Sequence, residues 1–443
     1  MQMKWKRTLA LLLAVLLLGS SVPLAAGAED GYKVGDTVVY GCYPQTRIKV
    51  SGMTEALDTQ AVNWQSYGYY SGTGESDDGK MTAKSYMQYC DVTYGGQKYR
   101  GVKFSSYRPI GTGYTSSINH QQSNHYYTDT TYWFRYEPLR WRVFDPATGL
   151  MLCETIIDSQ PYNNYMLASG EDEYGYTAYW GDADKTHYAN NYSESSLRQW
   201  LNDEFYSTAF TKVQQDGILA TTLDNSDYSP DCAAYGSAST TDKVFLLSYN
   251  DFLNPAYGFE ANQTKDFAIQ VQGSDYAKCQ GLRTYRFNEY SDWWLRSPGV
   301  DSDSACGVTE EGWIGPAYSV NSTDVGIRPA LRLNMGSEIS ESAQLRVTVT
   351  DLTVQYRSSG KLAPNVAADE GVQYTLAYSG FDSGIISVDE NGSVTTRKAG
   401  TTTVTVTATD EYGNKAEAKC TVTVKYAWWQ MLIRIFLFGW LWY

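Results

Sequence analysis

The stretch SDWWLRSPGVDSDSACG, residues 291–307, joins two adjacent tryptophans and an arginine to a Pro-Gly pair and an acidic, serine-rich loop. Alternation of side chains along a strand predicts one tryptophan in the core and the arginine in a paired or hydrogen-bonded corner. The Pro-Gly pair predicts a turn. The alternative is a surface on which the tryptophans stack against a ligand. We therefore predict a structural motif made of Trp293, Trp294, Arg296, Pro298, Gly299 and, from the later GIRPALRLN, Arg328.

The loops between WWLRSPG and GIRPALRLN are the best candidates for ligand binding, because recognition residues concentrate on loops that rigid strands hold in place. The candidates are Asp301, Asp303, Glu310, Glu311, Trp313 and Tyr318. Asp301 and Asp303 lack the alternating-oxygen series and the sixth-position glycine of an EF-hand loop. We expect a surface turn there and no metal site.

Catalytic patterns are weak. The chain has no GxSxG and no GxGxxG motif, and its histidines are His120, His125 and His187. The acidic pairs Asp182/Asp184 and Asp224/Asp227 resemble a glycosidase couple, although in an acidic protein such pairs more often form solvated loops. The sequence therefore predicts no catalytic residue and no cofactor.

The first 28 residues are typical of a secretory signal peptide, with a basic end, an apolar core at Leu9–Leu18 and a small-residue cleavage site. The cationic residues there are Lys4, Lys6 and Arg7, and the segment contains no acid. Its removal changes the formal net charge from −14 to −17. Such an acidic surface repels phosphate groups, which excludes nucleic acid as a partner.

Seven cysteines follow the signal peptide, at widely spaced positions without a CxxC motif. An odd count argues against a disulfide framework, and Cys153 and Cys420 lie in apolar or alternating patterns. We expect buried free thiols, with disulfide bridges as the alternative.

The C-terminal tail, residues 426–443, is rich in apolar and aromatic residues and contains Arg434 near its middle. The stretch 428–443 has tryptophans towards both of its ends, in the manner of interfacial belts. We expect contact with the membrane or cell envelope through 428–443, spanning or interfacial. The alternative is a tail that packs on the protein itself.

Two parts of the chain differ in pattern. Residues 29–335 mix alternating strands with a few capped helices, which predicts an α+β domain. Its clearest helix is SESSLRQWLNDEFYSTAF, and shorter ones begin near Thr211, Ser248 and Ser274. Residues 345–425 contain only alternating, Val/Thr-rich runs between turn residues, which predicts a small β-sandwich.

The second part resembles the bacterial Ig-like domain of group 2. The resemblance is carried by VDENGSVTTRKAGTTTVTVTATDEYGNKAEAKCTVTV, in which the family positions are Gly392, Val394, Ala399, Gly400 and Thr401. It implies an Ig-like stalk, with a spacer role favoured over an adhesive one.

The first part resembles the domain of unknown function 6273, an exported bacterial family typical of Gram-positive anaerobes. The motifs that carry this resemblance are YWFRYEPLRWRVFD, SSLRQWLNDEFYSTAF, TTDKVFLLS, WWLRSPG and GIRPALRLN. Their order is similar to the C-type-lectin-like fold of formylglycine-generating enzymes, which oxidise a substrate cysteine with a cysteine pair and copper. That resemblance implies Cys279 and Cys306 as the corresponding pair, although buried cysteines are usually inert.

Together these features predict a secreted, envelope-associated surface protein with a C-type-lectin-like head, an Ig-like stalk and a hydrophobic tail. We expect non-catalytic binding or adhesion, with a glycan or a protein as ligand. The alternative is a surface enzyme, either a cysteine oxidase or a hydrolase of envelope or host polymers.

Overall fold

The structure of the protein is a computed structural model. It describes residues 32–67, 71–75, 81–83, 87–111, 119–163, 188–226, 235–257, 270–285, 289–335, 345–368, 372–411 and 413–436. Several predicted features lie outside these residues, namely the signal peptide at 1–28, the pair Asp182/Asp184, His187, Asp227 of the second acidic pair, Cys232 and the last residues of the tail, 437–443. The described chain is rich in β-structure and forms several sheets.

Residues 32–335 are called the head below. Its strands are β1 (Thr37–Arg47), β2 (Gln65–Ser66), β3 (Ser71–Glu75), β4 (Met81–Ala83), β5 (Met87–Tyr94), β6 (Gln97–Phe104), β7 (Tyr132–Asp145), β8 (Leu150–Cys153), β9 (Asp158–Ser159), β10 (Thr221–Leu223), β11 (Thr240–Asp242), β12 (Val244–Phe245), β13 (Trp293–Pro298), β14 (Ser304–Val308), β15 (Ile314–Ser319), β16 (Gly326–Ile327) and β17 (Ala330–Arg332). The head also contains short helices, namely α1 (Ser51–Gln60), α2 (His120–Ser123), α3 (Ser196–Trp200), α4 (Tyr206–Ala209), α5 (Lys212–Gly217), α6 (Tyr249–Leu253) and α7 (Asp275–Gln280), with 3₁₀ turns at Tyr192–Glu194 and Pro255–Tyr257.

The largest sheet of the head has eight strands in the order β12-β17-β8-β7-β6-β5-β2, with β1 paired to β7. Strand β7 is the long run YWFRYEPLRWRVFD, and its apolar residues point into the core on both faces. Because β7 pairs with β1, β6 and β8, this one motif organises much of the sheet.

The stretch SDWWLRSPGVDSDSACG forms β13 and most of β14. These strands lie in a second sheet of five strands in the order β15-β14-β13-β16-β9. The prediction of one buried tryptophan is wrong, because Trp293 and Trp294 both have no exposed surface. Strand β13 is central in its sheet and covered on both faces, so consecutive side chains are buried. This burial also removes the alternative of a stacking surface.

The two arginines of the motif are buried, and Arg296 lies in a paired corner as the sequence predicts. Arg296 Nη1 lies 2.7 Å from Asp251 Oδ2 and donates to the Leu246 carbonyl oxygen. The Arg328 guanidinium lies 5.0 Å from the ring centre of Trp293, and its Nε donates to the Cys153 carbonyl oxygen. Burial lowers the pKa of Arg328 to about 10. Each arginine thus joins the five-stranded sheet to a neighbouring segment.

The helices begin where capping residues predict. Ser195 caps α3, which continues through a π-helical turn at Leu201–Phe205 into α4. Thr211 and Ser248 begin α5 and α6 with full capping boxes, and Ser274 caps α7. The apolar sides of α3, of the π-helical turn, of α4 and of α7 pack into one continuous core with both sheets. Before α3, Asn191 caps the 3₁₀ turn at Tyr192–Glu194.

Residues 345–425 are called the C-terminal unit, and their described part consists of strands and turns. Its strands are β18 (Arg346–Thr348), β19 (Leu352–Gln355), β20 (Ser359–Lys361), β21 (Asn365–Ala367), β22 (Tyr374–Ser379), β23 (Ile386–Val388), β24 (Ser393–Thr396), β25 (Gly400–Asp410) and β26 (Lys415–Lys425). The sheets β19-β26-β25-β22 and β20-β24-β23 enclose a core that includes Val394, Val404 and Val422.

A final helix, α8 (Trp428–Phe436), follows the C-terminal unit. Gln430 is buried and its Nε2 donates to the Tyr356 carbonyl oxygen, whereas Trp428 is 75% exposed. Among the described residues, no helix has the length and apolar character needed to cross a membrane.

Cysteines in the described part of the chain are free and buried, which confirms the expected thiols at Cys42, Cys90, Cys153, Cys279, Cys306 and Cys420.

Candidate functional site

The predicted ligand residues separate to the two ends of the β13–β14 hairpin. Asp301 and Asp303 lie in the turn that follows β13, where Asn190 Nδ2 and Ser304 Oγ donate to the Asp301 carbonyl oxygen. The Val320 N–H donates to the Asp303 carbonyl oxygen. These contacts make the turn a fixed corner of the hairpin.

The other end of the hairpin holds Glu310, Glu311 and Trp313, which connect β14 to β15. Trp313 is 42% exposed, and its backbone N–H donates to Thr309 Oγ1. The N–H of Glu310 donates to Asp292 Oδ1 at 2.8 Å. This connection therefore rests on Asp292, the residue directly before β13.

Beside this end lies a concave pocket of about 280 Å³. Its lining residues are Ile110, Arg283, Asp292, Tyr318, Ser319, Ser322, Asp324 and Val325. Tyr318 is the predicted candidate that lines it. Ligand pockets usually measure ~300–1,000 Å³ and place a few polar groups among apolar ones, so this pocket is slightly smaller than that range.

Asp292 is the most buried charged group of the pocket, with 3% of its surface exposed. Its Oδ1 accepts from the Glu310 N–H and its Oδ2 accepts from the Tyr285 hydroxyl at 3.1 Å. Burial raises the pKa of Asp292 to about 6, and the nearby Glu310 carboxylate adds to the rise while the hydrogen bonds oppose it. Asp292 therefore keeps its proton to a higher pH than an exposed aspartate does.

Tyr318 reaches the pocket because two glycines leave room for its ring. A Cβ atom at Gly307 would lie 2.9 Å from the ring, and one at Gly315 would lie 3.3 Å from it. The ring also packs edge-on against Trp294, with 5.9 Å between ring centres. Burial raises the pKa of the Tyr318 hydroxyl, so that it stays a neutral donor and acceptor.

The rim of the pocket contains the cation Arg283 and the carboxylate of Asp324. The Arg283 guanidinium lies 4.6 Å from the ring centre of Tyr285, and the Arg283 N–H donates to the Asp324 carbonyl oxygen. Asp324 Oδ2 lies 3.1 Å from His120 Nε2. The pocket thus combines a positively charged donor, negatively charged acceptors and neutral serine hydroxyls in one small space.

The sequence identified Tyr318 of this pocket but not Arg283, Asp292 or Asp324. Asp292 gave a usable signal, since it is a carboxylate directly before an apolar strand. The other two lie on segments that only the tertiary structure brings together.

Metal and thiol chemistry find no support in this part of the molecule. Among the described residues, no group of three His, Cys, Asp or Glu side chains could hold a metal ion. Cys279 and Cys306 have no exposed surface, and burial holds the pKa of the Cys279 thiol well above its ordinary value. Both properties oppose thiol reactivity.

A second cavity of about 720 Å³ lies where the head meets the C-terminal unit. Its lining includes residues 207–215, which cover the end of α4 and most of α5, and the side chains of Asp91, Lys98, Glu411 and Asn414. Glu411 joins the two parts, since its carbonyl oxygen accepts from the Lys98 N–H and its Oε2 accepts from Thr93 Oγ1.

The residues that line the pocket, apart from Ile110, fall within a segment that matches a known family model. Residues 162–335 match the Domain of unknown function (DUF6273). Four of the five motifs noted in the sequence lie inside the DUF6273 match, whereas YWFRYEPLRWRVFD at 132–145 precedes it. A search of curated proteins finds no match to the chain.

Two solved structures show weak similarity to the chain. One, titled "PcdhgB3 EC1-4 in 50 mM HEPES", is 13% identical with a TM-score of 0.16, and the match covers 28% of this chain and 31% of that one. The other, "Structures of Clostridium thermocellum CbhA fibronectin(III)-like modules", is 14% identical with a TM-score of 0.18, covering 34% and 75%. The chain thus spans less than a third of the first structure. Such TM-scores support no inference about fold or function.

Proposed function

We propose that this protein is a secreted, envelope-associated surface protein that binds a glycan without catalysis. The observation that carries the proposal is the pocket at the Asp292 end of the hairpin, where carboxylates, a guanidinium, serine hydroxyls and the Tyr318 ring share about 280 Å³. Sugar hydroxyls both donate and accept hydrogen bonds, so a lining of mixed charge suits them. A tyrosine ring adds an apolar face with a polar tip.

The geometry favours binding over hydrolysis. Most glycoside hydrolases use two carboxyl groups that flank the scissile bond. Both oxygens of Asp292 already accept hydrogen bonds from protein groups, Oδ1 from the Glu310 N–H and Oδ2 from the Tyr285 hydroxyl. Asp292 therefore acts mainly as the support that fixes the loop from β14 to β15.

The architecture that accompanies this function is also a proposal. We infer a C-type-lectin-like head and an Ig-like stalk from the motif order and the turn pattern of residues 388–424. The all-β C-terminal unit is compatible with a stalk, and the signal-like first 28 residues support export. A protein ligand is the alternative within the same class of function.

A glycan array probed with the full chain tests the proposal. We expect binding to a restricted set of glycans, and we expect Arg283→Met to lose that binding because the exposed cation of the rim is gone. An array without any bound glycan, or equal binding by the variant, would contradict the proposal. Mass spectrometry of each bound glycan separates the classes, since a shortened glycan would identify a hydrolase.

A further inference from the structure

The first turns of α8 carry an exposed apolar surface. Its residues, called the tail face, are Trp428, Trp429, Met431 and Leu432, with exposed fractions of 75%, 46%, 51% and 43%. At 100° for each residue, these four side chains span an arc of about 160° on the helix. Exposed tryptophans and aliphatic side chains grouped in this way mark an interaction surface.

The tail face is held in a fixed orientation by the opposite side of the helix. Gln430 is 4% exposed, and its Nε2 donates to the Tyr356 carbonyl oxygen while its Oε1 accepts from the Ala427 N–H. Tyr356 packs edge-on against Tyr426 with 5.2 Å between ring centres. The C-terminal unit therefore presents the tail face outward at one end of its sheets.

That end of the C-terminal unit is basic, in contrast to the acidic chain as a whole. Its exposed cations, called the basic rim, are Arg357, Arg397, Lys398 and Lys425. Strand pairing places them together, because Gln355 pairs with Lys425 and Gly400 pairs with Val424. One exposed acid near this rim is Asp382, whose Oδ1 accepts from the Gly384 N–H.

We propose that the tail face and the basic rim together dock the C-terminal unit on an anionic lipid surface. Tryptophan favours the boundary between headgroups and acyl chains, and an amphipathic helix lies in that plane with its apolar side inserted. Cations beside it attract anionic headgroups. The proposal does not depend on the ligand of the head.

A second copy of the chain fits this surface less well. Two copies that met through their tail faces in a two-fold contact would bring two basic rims together. Like charges at close range oppose such a dimer, whereas anionic headgroups neutralise them. The charge pattern thus selects the lipid surface as the occupant.

The test is co-sedimentation of the full chain with vesicles of phosphatidylcholine alone or mixed with phosphatidylglycerol. We expect binding to the mixed vesicles that weakens at high salt. The double variant Trp428→Ser, Trp429→Ser is expected to lower the partition coefficient by about tenfold or more. The matched control is Trp313→Ser, which removes an exposed tryptophan of the head and is expected to leave binding unchanged.

A second pair of variants tests the basic rim. Arg397→Gln with Lys398→Gln is expected to weaken binding to mixed vesicles by about fivefold for each cation removed. The control Lys415→Gln with Lys419→Gln removes two exposed cations from β26 at a distance from the tail face and is expected to leave binding unchanged. Thermal unfolding of each variant confirms that it is folded.

Three results would overturn the proposal. The first is that the chain does not sediment with mixed vesicles. The second is that the folded tail-face variant binds as well as the wild type, and the third is that the wild type binds vesicles of phosphatidylcholine alone as well as mixed vesicles. Sedimentation velocity adds a fourth, since a dimer that the tail-face variant abolishes without any lipid binding would identify a second copy as the occupant.

Discussion

Asp158 is a carboxyl group in the core of the head, and its burial makes a measurable prediction about stability and pH. Its side chain is 2% exposed, with Oδ2 accepting from the Tyr43 hydroxyl at 2.9 Å and Oδ1 accepting from the Ser159 N–H at 2.7 Å. Burial raises the pKa of Asp158 from its ordinary 3.8 to about 7, although these hydrogen bonds oppose the rise. The folded protein therefore keeps this proton at a pH where the unfolded chain has lost it.

The sign of the effect follows from the proton count. Between pH about 4 and about 7 the folded state binds more protons than the unfolded state, so the free energy of unfolding falls as pH rises. The contribution is complete below the unfolded pKa of 3.8 and lost by pH about 7. At about 1.4 kcal/mol for each pH unit between the two pKa values, Asp158 accounts for a fall of about 4 kcal/mol.

The assay is urea unfolding of the wild type and of Asp158→Asn at several values between pH about 4 and about 8. The amide keeps the shape of the side chain and cannot ionise. We therefore expect the free energy of unfolding of this variant to fall less steeply with pH than that of the wild type. The difference between the two curves separates the contribution of Asp158 from that of Asp292, whose pKa is also raised. Tyr43→Phe removes a hydrogen bond that stabilises the charged form, so its curve should continue to fall to a higher pH.

Asp224→Asn is the control, because Asp224 is exposed and Ser226 lowers its pKa. Its curve should run parallel to that of the wild type above pH about 4. Parallel curves for the wild type and Asp158→Asn would refute the reasoning, as would stability that rises with pH over this interval.

Three further predictions concern the motif and the pocket. Asp251→Ala should destabilise the head by about 3–5 kcal/mol in thermal or urea unfolding, because it leaves the buried Arg296 without its carboxylate; a loss below about 1 kcal/mol would contradict this. Gly307→Ala should cost about 1–3 kcal/mol and weaken ligand binding, since the new methyl group displaces Tyr318, and unchanged binding in a calorimetric titration would refute it. The six described thiols should resist a thiol reagent in the native protein and react after unfolding; fast native reaction of these thiols would show that they are accessible.

Local features of this fold could be predicted from the sequence because they depend on neighbouring residues. The caps at Ser195, Ser248 and Ser274 are examples, since each side chain accepts from a backbone N–H three residues later. The long strand YWFRYEPLRWRVFD and the all-β pattern of the C-terminal unit follow from side-chain alternation in the same way.

The burial of Trp293 and Trp294 could not be predicted, because alternation describes a strand with one covered face. Here Trp293 packs against Arg328 on one face, and Trp294 packs against Tyr162 and Tyr318 on the other. Only the position of β13 at the centre of its sheet decides this outcome.

The pocket could be predicted only in part. The sequence groups Asp301 with Tyr318 because both lie between WWLRSPG and GIRPALRLN, but Tyr318 belongs to β15 and the length of the hairpin separates Asp301 from Asp292. Arg283 and Asp324 come from segments before and after the hairpin, and the backbone bond between them forms only in the folded head. Sequence proximity is therefore a poor guide to which polar groups share a cavity.

The most direct test of the proposed function is a calorimetric titration of the best glycan from the array into the full chain and two variants. Arg283→Met changes the pocket, whereas Asp301→Asn changes the far end of the hairpin. We expect the first to weaken binding by about tenfold or more, since a hydrogen bond to a charged group contributes about 1.5–3 kcal/mol. We expect the second to bind like the wild type. Wild-type affinity for Arg283→Met together with a loss for Asp301→Asn would contradict the account and place the ligand at the turn after β13.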